Sequence, residues 1–243
     1  IPNCHSPEQV VTEEQAYDTA YAFGIFASAF SEFDESLLDI IIPKFHDLTF
    51  RFEQLAEAIT LDLAGRVEES KNEISFAQQQ QQVAKLAQAI ENRCPRRVTH
   101  NDTKINNLLV NDFTHKPEAV VDLDTCMSGY VMHDFGDMVR TCCSNLAEDD
   151  SQVSAMTLKK DIFKALAKGY LAAWNGKLTS DEIESLWLGA KMMPLMIGIR
   201  FLTDHLNGDK YFAVNRENHN LDRAINQFAL YRSVCQHEGE LSP

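Results

Sequence analysis

The chain has 243 residues, 44% of them hydrophobic, which suits one large domain or two small ones with a buried core and does not fit a disordered class. A formal net charge of -14, with no run of five or more Lys/Arg to offset it locally, disfavours nucleic acid as a partner. The longest apolar stretches, near Ile40–Pro43 and Met192–Ile199, are well short of the roughly 20 residues a membrane span needs, and no basic-then-apolar leader opens the sequence. The expectation is a cytoplasmic protein with no membrane partner.

In chain order, the first helical pattern is TEEQAYDTAYAFGIFASAF. It begins with a possible capping box, Thr12 with Gln15, and places Tyr17, Tyr21, Gly24, Ala27 and Phe30 at helical spacing. DLTFRFEQLAEAIT follows with Leu48, Phe52, Leu55 and Ile59 on one stripe. EISFAQQQQQVAKLAQAIEN puts Val83, Leu86 and Ile90 on another, with glutamines 78–82 as its solvated side. Strand signals concentrate between Val98 and Asp124, where the apolar runs NNLLV and AVVDL flank a polar turn containing Asn111, Asp112 and Pro117. Helices then resume: Leu158, Ile162, Leu166 and Tyr170 mark one stripe, and a Thr179/Glu182 capping box opens a helix expected to stop or kink near Pro194. A last helix, capped by Asn220, carries Leu221, Ile225 and Phe228. Six cysteines lack any Cys-x-x-Cys spacing and read as reduced thiols. The fold class is α+β, mainly helical, with one short β-hairpin and no linker dividing the chain.

The hairpin carries the chemistry. If its turn is centred between Thr114 and His115, Asn107 faces Asp122, and an amide oxygen beside a carboxylate makes a hard site suited to Mg²⁺. Asp102, five residues before Asn107, can point into the same mouth to accept a hydroxyl proton, while Lys104 offsets charge on a transferred phosphoryl group. His100 reads as a scaffold residue. The DFGD run at Asp134–Asp137 lies 27 residues past Asn107 and beyond the hairpin, so it reads as a cap or a brace and not as a metal triplet. Asp124 is either a second metal-side carboxylate or a backbone partner. A competing reading takes His46–Asp47 and His133–Asp134 as metal ligands of a helical phosphohydrolase.

THNDTKINNLL, VDLDT, HDFGDMVR and IRFLTDHLNGDKYF followed by NHNLDRAINQ resemble the aminoglycoside phosphotransferase and choline kinase superfamily, and in particular bacterial N-acetylhexosamine 1-kinase-like sugar kinases. The similarity runs from about Glu14 to Gln236. It implies the C-terminal lobe of a protein kinase-like fold, ATP and Mg²⁺ as cofactors, and a small-molecule substrate, plausibly a sugar phosphorylated on its anomeric hydroxyl. By resemblance, Asp102 would be the catalytic base beside Lys104, Asn107 and Asp122 the metal ligands, Leu109 the floor under an adenine ring, and Arg200 and Tyr211 sugar contacts. The stretch DTCMSGY departs from the more usual Met-Pro-Gly of such kinases at Ser128.

By the same resemblance, residues 1–12 would be a hinge remnant and residues 13–243 the large lobe, with the expectation that the N-terminal nucleotide lobe is missing from this sequence. The expectation is a fragment inactive alone. Other readings are an aminoglycoside- or choline-type kinase, whose acceptor would need an acidic or aromatic cage near Arg200, and a non-catalytic kinase-like binding module.

Overall fold

Capping chemistry sets the first long element. A computed structural model, which describes residues 1–241, starts with a two-residue strand β1 (Cys4–His5) and then helix α1 (Glu13–Ala29). Thr12 Oγ1 accepts the Gln15 N–H at 3.1 Å and the Gln15 side chain accepts the Thr12 N–H at 3.3 Å, the expected capping box. The buried face is rotated from the expected one. Ala16, Ala20, Phe23, Gly24 and Ala27 are buried, whereas Tyr21 and Phe30 are exposed and Tyr17 stacks on Tyr21 at the surface. Small residues win this face because the partner helix comes close: a Cβ on Gly24 would lie 2.6 Å from Ala173 Cβ.

Helix α2 (Leu48–Leu61) is capped by Asp47, which accepts the Phe50 N–H at 2.9 Å, and buries Leu48, Phe52 and Leu55 as expected. Ala58 takes the place foreseen for Ile59. The single helix expected over 73–92 is two, α3 (Lys71–Gln79) and α4 (Gln82–Glu91). The break falls in the glutamine tract, where the Gln80 side chain bonds the Phe76 carbonyl and accepts from the Tyr231 hydroxyl. The other four glutamines are exposed, as expected. Leu86 is 52% exposed, and Val83, Ala84, Ala87 and Ile90 form the packed stripe instead.

Strands β2 (Arg97–Thr99), β3 (Leu108–Asn111), β4 (Pro117–Val120) and β5 (Met127–Gly129) form more than the one hairpin foreseen. β1 adds to the edge of the β3–β4 hairpin, so part of the segment read as a hinge tail is paired in a sheet, and β2 pairs with β5 in a second small antiparallel sheet. Ser128 stands in β5, opposite Val98. Helices α5 (Val131–Cys142), α6 (Lys160–Trp174), α7 (Ser180–Leu206), α8 (His219–Gln236) and the single turn α9 (Glu238–Leu241) complete the fold. α6 buries Ile162, Leu166 and Tyr170 as expected, with Leu158 buried just before it.

α7 does not stop at Pro194. It runs 27 residues from its Thr179/Glu182 capping box to Leu206. An interior proline costs about 3 kcal/mol, here offset by burial of Met192, Met193, Leu195 and Met196 around it. This helix is also long and apolar enough to cross a membrane, yet 78% of its most apolar window is buried inside the fold, which makes it the central core helix. α5 crosses it at two glycines: a Cβ on Gly136 would meet the Gly189 carbonyl oxygen at 2.2 Å.

α8 is preceded by Asn218 in a left-handed conformation with no side-chain cap, and Asn220 is not the cap. Its amide bonds Asp204 and Asp209. Two apolar clusters result, one joining α1, α5, α6, the start of α7 and Leu230 and Val234 of α8, the other joining α2, α3, α4, the rest of α7 and the remaining buried apolar face of α8. All six thiols are free, with Cys142 and Cys143 buried.

Candidate active site

The loop leaving β2 is held from below by α5. Asp134, in the first turn of that helix, accepts the N–H of His100 at 2.9 Å and of Asn101 at 2.7 Å, and its carbonyl accepts the Thr103 hydroxyl at 2.6 Å. It braces the loop and does not cap the helix, whose N-cap is Tyr130. Burial pushes the Asp134 carboxyl up, against the two backbone N–H bonds it accepts. His100 is fully buried, with Phe23 and Phe26 edge-on to its ring. Its Nδ1 accepts the Asp102 N–H, so Nε2 carries the proton donated to the Val121 carbonyl at 3.0 Å. Thus His100 ties the loop to the end of the hairpin, as a scaffold residue would. Asn101 completes the pinning from a left-handed backbone, φ 65°, by bonding the Thr99 and Thr125 carbonyls.

What this frame presents is Asp102. Its Oδ2 accepts Lys104 Nζ at 2.8 Å and Asn107 Nδ2 at 2.8 Å, and Asn107 Nδ2 also reaches the Asp102 carbonyl. Asp102 and Lys104 remain partly open, with side chains 26% and 37% exposed. Asn107, at the end of the single 3-10 turn Ile105–Asn107, has its amide nitrogen engaged. Among the described residues no donor reaches Asn107 Oδ1 or Asp102 Oδ1.

The pairing of Asn107 with Asp122 needs correction by one residue. Leu108 pairs with Val120, and the Val121 N–H donates to the Asn107 carbonyl at 2.9 Å, so Val121 stands opposite Asn107. The cause lies at both ends of the hairpin. The Asn111 N–H bonds the Lys116 carbonyl, which centres the turn between Phe113 and Thr114, and a bulge between Leu109 and Val110 restores half of the resulting shift. In a regular strand such a slip would turn Asp122 to the other face. Instead Asp122 leaves the strand in a left-handed conformation, φ 65° and ψ 55°, so the pleat no longer dictates its direction. It is exposed and has no hydrogen-bond partner among the described residues, and its charge reaches Lys104. Burial alone would lower the Lys104 ammonium, but the bond to Asp102 and the charges of Asp102, Asp122 and Asp137 raise it. Asp124 is exposed with no side-chain bond among the described residues.

Asp137 went unassigned in the sequence. It is buried on α5, its Oδ1 accepts Arg140 Nε at 2.8 Å, and Arg140 continues to Glu148. Its Oδ2 has no partner among the described residues, and burial, with the Asp102 charge adding to it, pushes its carboxyl up against the pull of Arg140. The available signal was the spacing Asp134, Asp137, Arg140, which puts all three on one helix face toward the loop.

Leu109 lies in β3 on the face opposite the fully buried Leu108 and is half-buried. Arg200, late in α7, donates to the Tyr211 hydroxyl at 3.5 Å and sits over the rings of Phe45, Tyr211 and Phe212. It borders the Asp102 loop through His46, whose ring lies against Phe45, tilted by 37°, and whose Nε2 lies 2.9 Å from the Asn101 carbonyl. A cavity of about 510 Å³ opens beside that loop between Phe45, His46, Asn101, Gly129, Tyr130 and His133. The His-Asp pairs do not make a metal centre: the rings of His46 and His133 lie 5.0 Å apart, but Asp47 caps α2 and Asp134 braces the loop. Among the described residues no three of His, Cys, Asp and Glu converge as ligands.

Asn107 Oδ1 and the Asp122 carboxylate, neither of which accepts a bond from a described residue, are oxygen donors of the kind that would hold a Mg²⁺ completed by phosphate and water oxygens. The family model for the phosphotransferase enzyme family, APH, matches residues 6–178, a span that contains the loop, the hairpin and α5 and ends before Arg200 and Tyr211. With well over half of its length matched, and with the loop acid, lysine and asparagine in contact within that span, the chain belongs to the phosphotransferase enzyme family.

Proposed function

We propose that this phosphotransferase moves the γ-phosphoryl group of ATP, with Mg²⁺, onto a sugar hydroxyl, the anomeric hydroxyl of an N-acetylhexosamine-type acceptor. The observation that carries the reading is the shared contact at Asp102: one carboxylate oxygen is fixed by Lys104 and Asn107, and the other is left without a donor. Oδ1 is then available to take the proton of an acceptor hydroxyl as its oxygen bonds to phosphorus and ADP departs. Lys104 keeps Asp102 oriented and adds positive charge beside the phosphoryl group. Mg²⁺, held by Asn107 and Asp122, would neutralise phosphate charge. Leu109 offers an apolar surface to the adenine ring, and Arg200 and Tyr211 offer donors to sugar oxygens. The aromatic cage asked of a cationic acceptor is filled by Arg200 itself, which counts against an aminoglycoside or choline.

The test is to incubate the full-length protein with Mg·ATP and N-acetylhexosamines and to follow phosphorus NMR. A new anomeric phosphate resonance, formed in step with ADP, is expected. ADP formed with the phosphate on another hydroxyl would overturn the anomeric assignment, and no acceptor-dependent ADP would overturn the sugar reading.

A further inference from the structure

Beyond the cavity beside the catalytic loop, on the other side of Ile42 and Phe45, lies a second cavity of about 260 Å³ with Arg51, Gln54, Arg200, Thr203 and Tyr211 among its walls. Two guanidinium groups face this space in a chain whose net charge is -14. Neither forms a salt bridge with any described residue: Arg51 donates to the Phe45 carbonyl at 2.6 Å and to Gln54 at 2.8 Å, and Arg200 to Tyr211. The carboxylates nearby are already engaged. Asp204, the one acid in the cavity wall, accepts three backbone N–H groups and the Asn220 amide. Asp47, whose charge acts on Arg51, caps α2, and Asp137, whose charge acts on Arg200, is bonded to Arg140.

Two desolvated cations that repel each other are costly to hold together without an anion. Burial, with Arg200 adding to it, pulls the Arg51 guanidinium down to about 10, and burial lowers Arg200 as well. Neutral sugar hydroxyls would accept hydrogen bonds here but would leave both charges uncompensated. A planar oxyanion accepts bidentate bonds from a guanidinium and neutralises it.

We infer that Arg51 and Arg200 together bind an oxyanion, a carboxylate or a phosphate, carried by the acceptor, so that the enzyme prefers an N-acetylhexosamine-type sugar bearing an acidic group over the neutral sugar. This rests on the kinase reading for the transfer step, but the anion site itself is a binding claim. Ile42 and Phe45 line both cavities, and His46, next to Phe45, lies 2.9 Å from the Asn101 carbonyl, so the arginine site adjoins the loop that carries Asp102.

The experiment uses the full-length protein and four probes: N-acetylglucosamine, its 6-phosphate, glucose and glucuronate. Binding is measured by calorimetry, with ADP release as a separate readout. At least one acidic sugar is expected to bind ten-fold or more tightly than its neutral partner, and which pair shows the gap separates phosphate from carboxylate recognition. Arg51→Gln should shrink that gap to under three-fold while leaving the affinity for ATP unchanged. Arg51→Lys, which keeps the charge but loses the planar fork, should fall between, and it serves if the glutamine variant does not fold. Equal affinities for acidic and neutral sugars, or an Arg51→Gln effect confined to ATP, would overturn the proposal. Acidic sugars that bind but never support Asp102-dependent ADP release would leave the anion site standing and remove the kinase reading.

Discussion

Asp102 is the residue on which the other assignments depend, and its surroundings show why a loop so polar is stable. The groups on either side of it are bonded to other parts of the fold: Asp134 holds two loop N–H groups, His100 reaches the hairpin, and Asn101 bonds Thr99 and Thr125. His46 extends this frame, and it sets a pH dependence. Burial first, then the neighbouring His133 charge, holds its imidazole well below the usual value of 6.5. In the unfolded chain it would take a proton sooner than in the native one, so its contribution to stability is complete above pH 6.5 and is lost as pH falls below that. His205 shifts in the same direction. Urea titrations at pH 7.5 and pH 5 should show lower stability at pH 5, with His46→Gln reducing the loss by up to about 1.4 kcal/mol per pH unit. Glutamine can still donate to the Asn101 carbonyl, so an unchanged pH slope in that variant would show that His46 is not the titrating group.

At the scale of elements, the sequence was legible where local chemistry decides and not where packing does. The two capping boxes rest on side chain-to-backbone bonds three residues apart, and both are present; of the two roles open to Asp134, packing of α5 under a loop more than 30 residues earlier selects the brace. The rotated face of α1 was not legible, because it depends on how near α6 comes; nor was the passage of α7 through Pro194, which depends on burial from several sides. The hairpin register missed by one since a bulge has no clear signature in LLVND. Asp137 had a helical-spacing signal with Asp134 and Arg140, whereas Arg51 became visible only when α2 was set against its neighbours. The α5–α7 crossing gives the matching test. Gly136→Ala puts a methyl group against the Gly189 carbonyl and should cost roughly 1–3 kcal/mol or more, with a loss of activity because α5 carries Asp134 and Asp137. Gly239→Ala, with nothing within 4 Å, is the control. Equal melting temperatures for the two variants would mean the helices do not cross as closely as described.

For the molecule as a whole, the question is whether its two apolar clusters act as one. Both tryptophans, Trp174 and Trp187, belong to the first cluster, while α2, α3 and α4 contribute to the second. α7 spans both and α5 packs along it, so opening either cluster exposes the face of α7 that the other needs. Tryptophan fluorescence and far-ultraviolet circular dichroism should therefore follow a single urea transition with the same midpoint. Separate midpoints would show that the clusters unfold independently. A single transition would also mean that the Asp102 loop, braced by α5, and Arg200, on α7, rest on one shared core.

The most direct measurement is the turnover of Asp102→Ala against the unaltered full-length enzyme, with Mg·ATP and its best acceptor. Loss of the loop carboxylate should reduce kcat by roughly 10²–10⁴ while the melting temperature changes little, as expected for a positioned base. Turnover within a few-fold of the unaltered enzyme would contradict the account, since Lys104 and Asn107 would then be arranged around a group the reaction does not use.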